Sequence, residues 1–476
     1  MAQPALAASV GRQPTARRRE PRRQADTALV LGLAWVVGFS LIAWLAMLTI
    51  LPYQDLRFAV MLSGFVFLPG VWLWIVARAG AVGGAPLALI VIAIVALSDT
   101  SARGFSTGID AQSAVKFGIW TSGLLLLFWR WPVVKAASLR LPTSALLLLC
   151  AWAVLTTTYS ATPFYTFGAG LSFLGVCVTA IVFAEDCDER RGLAVIWGAL
   201  MVTLALSLVL YLLVPGQVMT PHENGRSLRL SGAFGSPNNL GLAAALALLL
   251  TFLLCRTIGR GAGFALALVG LAVCGACLYL AGSRTAIISM LVGVTVILIS
   301  RRPLLAISAL ALAIGAGVLF LAYPDVREGM VALVTREGST REVTTFTGRT
   351  EIWRYVYSLI QKAPILGYGF ASTKEVIPAG FTGQFGWTTH SAHNMVLQAW
   401  VATGLVGLAI LAAAMVSLVR EHFIRPHPIR DAMTAFVLTQ GLMEASIAGP
   451  TINMLIFVFL WAAALGRRPA AAGVGA

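Results

Sequence analysis

Long apolar runs, most of them near the length of a bilayer-crossing helix, recur along this chain from residue 29 to residue 466. A hydrocarbon core needs about 20 such residues per helix, because backbone groups facing lipid must satisfy one another. The pattern predicts spans at 29–50, 57–77, 85–98, 114–129, 143–158, 164–183, 193–214, 238–255, 263–281, 284–300, 303–322, 393–418, 431–448 and 452–466. The third, fifth and last are short, so the expectation is an all-α, polytopic transmembrane helical bundle of about 12–14 spans. One long polar stretch, 323–392, interrupts the series. Within it, "TGRTEIWRYVYSLIQKAP" sets Ile352, Val356, Leu359 and Ile360 on one helical face, with Trp353, Tyr355 and Tyr357 suited to a headgroup interface. This predicts an amphipathic interfacial helix ended by Pro364, with "LGYGF" following as a turn.

Composition agrees: 58% of residues are hydrophobic and 11% charged, outside the range of soluble domains. The net charge of +15 would invite nucleic acid as a partner, but the basic residues sit in short clusters between apolar runs. That is a topological pattern. With the basic tail 1–25 (Arg12, Arg17, Arg18, Arg19, Arg22 and Arg23) placed in the cytoplasm, 21 Lys/Arg of the short segments fall inside and 6 outside. The positive-inside rule then puts both termini in the cytoplasm and the long loop 323–392 outside. A signal-peptide reading of residues 1–50 fails, because the apolar run is too long and lacks a convincing cleavage site. The six cysteines lie in apolar runs, at their ends or in one short inner loop, so no disulfide framework is expected. Cys274 and Cys277 have redox-motif spacing but lack histidine or acidic companions, which makes them buried small hydrophobes.

Four places on the outer side could carry chemistry. The loop 222–239, "HENGRSLRLSGAFGSPNN", sets Arg226 and Arg229 before a Gly/Ser/Pro/Asn turn that includes Asn238. Guanidinium groups bind phosphate bidentately and glycines admit close backbone approach, so the loop can be an anion site or simply a solvated loop meeting headgroups. Arg284 stands at the tight turn "AGSRTA" between two apolar runs, where a charge is costly without a purpose; snorkelling to headgroups is its plain alternative. His390, His393 and Asn394 mark the point where the long loop re-enters the membrane, and a histidine there can take a proton from a hydroxyl or merely cap the helix. Arg349 opens the amphipathic helix, either as a phosphate ligand or as a solvated helix-start residue. Glu444, near the outer end of a predicted span, is either a structural carboxylate or a substrate contact. The histidines lack the pattern of a zinc site, and no nucleotide-binding glycine motif is present, so no cofactor or metal is expected. Arginines with a histidine outside the ATP pool suit a lipid-diphosphate ligand.

The ordered motifs "RLSGAFGSPNNLG" (229–241), "GSRTA" (282–286), "GRTEIW…PILGYGF" (348–370) and "HSAHNMVLQAWVATGLVG" (390–407) give the chain a further meaning. It resembles the O-antigen ligase and polysaccharide-polymerase superfamily of bacterial envelope proteins, over roughly residues 225–410. The resemblance divides the chain into a basic tail 1–25, N-terminal spans 26–220, a ligase/polymerase-like core 221–418 and C-terminal spans with a tail 419–476. It implies a multi-pass protein of the bacterial inner membrane and a metal-independent, inverting glycosyltransferase. The implied donor is an undecaprenyl-pyrophosphate-linked glycan, and the implied acceptor a second glycan or lipid A-core. By residue-to-residue match, Arg229 and Arg284 would hold the diphosphate and His393 would activate or orient the acceptor hydroxyl; Arg226, Asn238, Arg349, His390 and Asn394 would line the substrate. The motifs look most like exopolysaccharide-production polymerases, with an O-antigen ligase as the alternative. A transporter or flippase for lipid-linked oligosaccharide is a rival of another class, but it would place its ionisable groups nearer mid-membrane.

Overall fold

The computed structural model describes residues 85–98, 111–221, 228–299, 349–383 and 388–465, with single positions at 308, 312 and 315. The basic tail, the predicted spans 29–50 and 57–77, nearly all of 303–322, the C-terminal tail and Arg226 lie outside these residues. The described chain is a helical bundle: α1 Ala85–Leu97, α2 Ala111–Ser122, α3 Leu126–Ala137, α4 Leu141–Leu155, α5 Pro163–Asp186, α6 Glu189–Leu213, α7 Pro237–Cys255, α8 Arg260–Ala281, α9 Arg284–Ile299, α10 Arg349–Lys362, α11 Met395–Ile424, α12 Pro428–Gly441 and α13 Met454–Ala464. A single short antiparallel pair, β1 (Met219–Pro221) with β2 (Leu228–Leu230), is the only sheet among the described residues.

Among the described residues, six helices are long and apolar enough to cross a membrane by themselves: α4 with its 3-10 extension to Thr158, α5, α6, α7, α8 and α11. Shorter apolar helices, α1, α9 and α13, match predicted spans of reduced length. The predicted span 114–129 is broken, with α2 and α3 separated by a 3-10 turn and α3 itself interrupted at Arg130. Every residue of α13 is buried, as expected of a helix apolar on all sides, and its Trp461 is seated against Gly192 of α6. In α8, by contrast, Phe264, Leu268, Leu271 and Tyr279 are exposed, a stripe fit for lipid. Cys274 and Cys277, on its inner face, are buried against α6, with their sulfurs at Met201 and the Leu204 carbonyl.

The bundle has two polar ends. One gathers Arg130 with Asp186, His427 with Glu189, and Arg140 with the carbonyl of Ala464 and the carboxylate of Glu421. There the side chain of Arg430 is almost wholly buried, held by Glu421, Asp431 and the Arg425 carbonyl. At the other end α5, α7, α9 and α11 begin, and α4, α8 and α12 finish.

The amphipathic helix is present as α10. Its apolar stripe, Ile352, Val356, Leu359 and Ile360, packs on Ile377, Phe381, Ala392 and Val401, so protein rather than lipid covers it. Tyr357 stays exposed. The "PILGYGF" stretch does more than turn. It runs beside a break in α11 at Gly404, where φ is +68°. Leu405 N–H donates to the Pro364 carbonyl, while Tyr368 and Gly369 donate to Val401 and Ala402. Trp152 donates its indole N–H to the Thr403 carbonyl. These bonds satisfy backbone groups that a broken membrane helix would otherwise leave bare. A Cβ on Gly404 would lie 2.0 Å from the Ile365 carbonyl oxygen, which together with its φ explains the glycine. The 349–383 segment is thus stitched onto α11 about two to three turns from the helix start.

Candidate active site

Four helix beginnings supply the polar groups of the site: Asn238 in the first turn of α7, Arg284 opening α9, Arg349 opening α10 and Asn394 capping α11. Unpaired N–H groups at helix starts favour anions, which adds to the arginine charge. Asn394 accepts from the N–H of Val396 and Leu397 through Oδ1 and donates from Nδ2 to the Leu442 carbonyl, 3.0 Å away.

The residue that joins these elements is Glu444. Helix α12 ends at Gly441, short of the predicted 448, and an irregular segment from 442 to 453 leads to the Asn453 cap of α13. Gly449 and Pro450 in this stretch oppose a continuous helix. Glu444 accepts from Arg349 Nη2 at 2.6 Å and from Asn238 Nδ2 at 3.2 Å through Oε1, and meets His393 Nδ1 at 2.9 Å through Oε2. Arg349 also donates to the Met443 carbonyl. Asn238 Oδ1 accepts from Arg229 Nη2 at 2.9 Å, and Arg229 Nε donates to the Ala281 carbonyl at 2.8 Å. A continuous chain of contacts therefore runs from His393 through Glu444 and Asn238 to Arg229. Ala281 precedes Arg284 by three residues across the α8–α9 turn, so the two arginines stand on either side of one tight turn.

Burial disfavours the charged form of Glu444, but His393 and Arg349 outweigh it and hold the carboxyl well down, at about 2. The carboxylate is therefore ionised at any physiological pH. Its side chain is 19% exposed, beside 23% for His393 and 15% for Arg349: sheltered, yet reachable.

An ionised carboxylate at Nδ1 fixes the neutral imidazole as the Nδ1–H tautomer, which leaves the Nε2 lone pair as the basic site. Nε2 lies 3.1 Å from the Thr389 hydroxyl. His393 adopts φ +47°, unusual for a non-glycine residue, a conformation worth about 1–3 kcal/mol of strain that its surroundings must offset. The ring is held from both nitrogens. His390 turns elsewhere: Nδ1 pairs with the Lys374 carbonyl at 2.8 Å, and burial lowers its pKa.

Of the residues expected from sequence, the structure links Arg229, Asn238, Arg349 and His393, seats Asn394 beside them, and puts Arg284 across the turn from Arg229. No three of His, Cys, Asp or Glu cluster as metal ligands among the described residues. The sequence left Glu444 undecided and did not single out Thr389. A carboxylate in an apolar run was the available signal for the first; nothing marked the second.

Comparison with known proteins finds similarity over part of the chain. Residues 269–412 match the family described as O-antigen ligase, a stretch that holds Arg284, Arg349, His393 and Asn394. A relative in Rhizobium meliloti (strain 1021), the exopolysaccharide production protein ExoQ, is 26% identical over 284 residues, covering 56% of this chain and 62% of that protein. The match therefore spans less than two thirds of the relative's length. The chain is thus similar, over part of its length, to the O-antigen ligase family and to an exopolysaccharide production protein.

Proposed function

We propose that this multi-pass membrane protein is a glycosyltransferase acting at the outer face of the bacterial inner membrane, moving a glycan from undecaprenyl pyrophosphate to the hydroxyl of an acceptor sugar. The observation that carries it is the chain from His393 through Glu444 and Asn238 to Arg229, which ties a base to an oxyanion-binding arginine. In one displacement, the acceptor O–H gives its proton to His393 Nε2 while its oxygen bonds to the anomeric carbon on the face opposite the leaving group. The bond from that carbon to the diphosphate breaks with its electrons on the lipid diphosphate, and the anomeric configuration inverts. Arg229 and Arg284 stabilise the charge that grows on the departing diphosphate. Glu444 balances the imidazolium that forms, much as a buried carboxylate does for the histidine of a hydrolase triad. No step calls for a metal or cofactor.

The name of the rhizobial relative favours polymerisation of exopolysaccharide or O-antigen repeat units, with a second lipid-linked repeat as acceptor. The name of the matched family favours the second reading, a ligase joining the glycan to lipid A-core. Deleting the gene separates them: shortened surface chains indicate the polymerase, and full-length chains absent from lipid A-core indicate the ligase. Transfer from a purified lipid-diphosphate glycan should disappear in His393→Ala and persist in EDTA. Near-normal turnover by that variant would overturn the assignment of the base.

A further inference from the structure

We propose that Thr389 is a reversible cap on the catalytic base: its hydroxyl occupies His393 Nε2 until an acceptor hydroxyl replaces it, keeping water from attacking the donor in the meantime. The inference rests on the transferase reading above. Nε2 has a single lone pair, and in the structure Thr389 Oγ faces it at 3.1 Å. The threonine hydroxyl is a secondary alcohol, chemically the same group as a sugar ring hydroxyl, so the position is already shaped for the acceptor's functional group.

Thr389 can serve both protonation states of the ring. Toward neutral imidazole its O–H donates to Nε2. Its oxygen also lies 3.3 Å from the Ser391 carbonyl and 3.3 Å from the Ser391 N–H. When the ring carries the extra proton, the hydroxyl can turn its hydrogen to that carbonyl and accept from Nε2–H. Thr389 is itself buried, and its turn is pinned nearby: Ala392 N–H donates to the Gln398 side-chain oxygen, and Gln398 donates to the Thr373 hydroxyl. The cap is held where an acceptor hydroxyl that displaces it can take over its hydrogen bond without leaving the histidine unpaired.

A lipid-linked donor bound without an acceptor is exposed to wasteful hydrolysis, because water at Nε2 would be activated as readily as a sugar. Thr389 acts through His393 and is therefore a positioning residue. Its effect belongs to the partition between hydrolysis and transfer, which a merely structural threonine would not move.

The test uses the full-length protein in detergent with a purified lipid-diphosphate glycan, measuring donor hydrolysis without acceptor and transfer with acceptor. Thr389→Ala opens a water-sized space at Nε2 and should raise hydrolysis about tenfold, an order below the roughly 10²-fold that a positioned base typically supplies. Thr389→Ser, which keeps the hydroxyl, should restore the wild-type ratio. Thr389→Val, which fills the space without a hydroxyl, should keep hydrolysis low. Unchanged hydrolysis in Thr389→Ala beside normal transfer would overturn the cap. Loss of transfer in Thr389→Val with rescue by serine would make Thr389 a proton relay instead, and would also overturn it. Absence of transfer by the wild-type protein is a different failure, that of the transferase reading.

Discussion

Replacing Glu444 with glutamine exchanges one carboxylate oxygen for an NH2 group and should cost most of the activity. The carboxylate receives three donors, from Arg349, Asn238 and His393. Arg349 is always protonated and presents only N–H groups, so it fixes the amide orientation: the glutamine oxygen must face Arg349. The amide NH2 then faces His393 Nδ1 and can only donate. That forces the imidazole into the opposite tautomer, with its hydrogen on Nε2 and no lone pair where the acceptor must deliver a proton. A positioned general base contributes about 10²–10⁴-fold, and the Glu444→Gln protein should lose transfer on that scale. The fold should suffer much less. The hydrogen bonds from Arg349 and Asn238 to the remaining oxygen survive, but Arg349 loses its counter-charge and the His393 contact is weakened, each a change on the scale of about 1.5–3 kcal/mol for a hydrogen bond to a charged group. Turnover under donor saturation, thermal unfolding in detergent and nitrogen-15 shifts of the His393 ring together separate these effects. Turnover within threefold of wild type, or a ring that keeps its hydrogen on Nδ1, would refute the tautomer reasoning. Glu444→Asp, which retains the charge on a shorter arm, should fall between the two.

Other expectations follow from the same geometry. Arg229→Lys and Arg284→Lys should each impair transfer, because a point charge cannot reproduce the planar fork, and donor-concentration series should show the loss in the chemical step as well as in binding. His390→Ala should cost far less than His393→Ala in the same assay, since His390 is engaged with the Lys374 carbonyl. The Glu444 carboxyl drops from its ordinary 4.5 to about 2, so the unfolded chain takes up the proton first; unfolding scans should show this group's stabilisation complete above about pH 4.5 and draining as pH falls toward 2, a slope absent from Glu444→Gln. Gly404→Ala puts a Cβ 2.0 Å from the Ile365 carbonyl at φ +68°, and limited proteolysis should find the 349–383 segment loosened. Cysteines introduced in the 323–392 loop should be labelled from outside intact cells, and cysteines in either tail should not; a labelled tail would reverse the orientation.

The spans were the most legible part of the chain, because backbone satisfaction in lipid demands length and apolarity that any reading frame of residues reveals. Boundaries blurred where apolar composition ran past a break. Residues 442–448 continue the hydropathy of α12, yet the helix stops at Gly441 and the next seven residues are irregular, running from an exposed Leu442 to a buried Ile447 and Ala448. That break is what brings Glu444 to His393, 51 positions away, and periodicity carries no information about it. The "PILGYGF" glycines were legible as a turn but not as the strip that repairs the broken α11, since the repair depends on a contact between segments far apart in sequence. Arginine and histidine types announced an oxyanion and a proton; only the fold could say that an asparagine and a glutamate connect them.

The arrangement also explains why such a site is assembled from so many helix ends. A carboxylate placed alone beside a histidine near lipid would be costly to ionise, and an arginine placed alone would be equally costly. Here Arg349 supplies the positive charge that lets Glu444 stay ionised, and Glu444 in turn offsets the positive charge that His393 takes on with a proton. In the proposed transfer the His393, Glu444 and Arg349 trio, neutral beforehand, would gain one positive charge as one negative charge is released onto the departing diphosphate. Since Arg349 rides on α10, Glu444 on the segment after α12, and His393 at the start of α11, charge neutrality itself selects the docked position of the outer segment. Undocking α10 would leave Glu444 without its guanidinium and His393 without a firmly ionised partner, so the same ion pair that fastens the segment also arms the base.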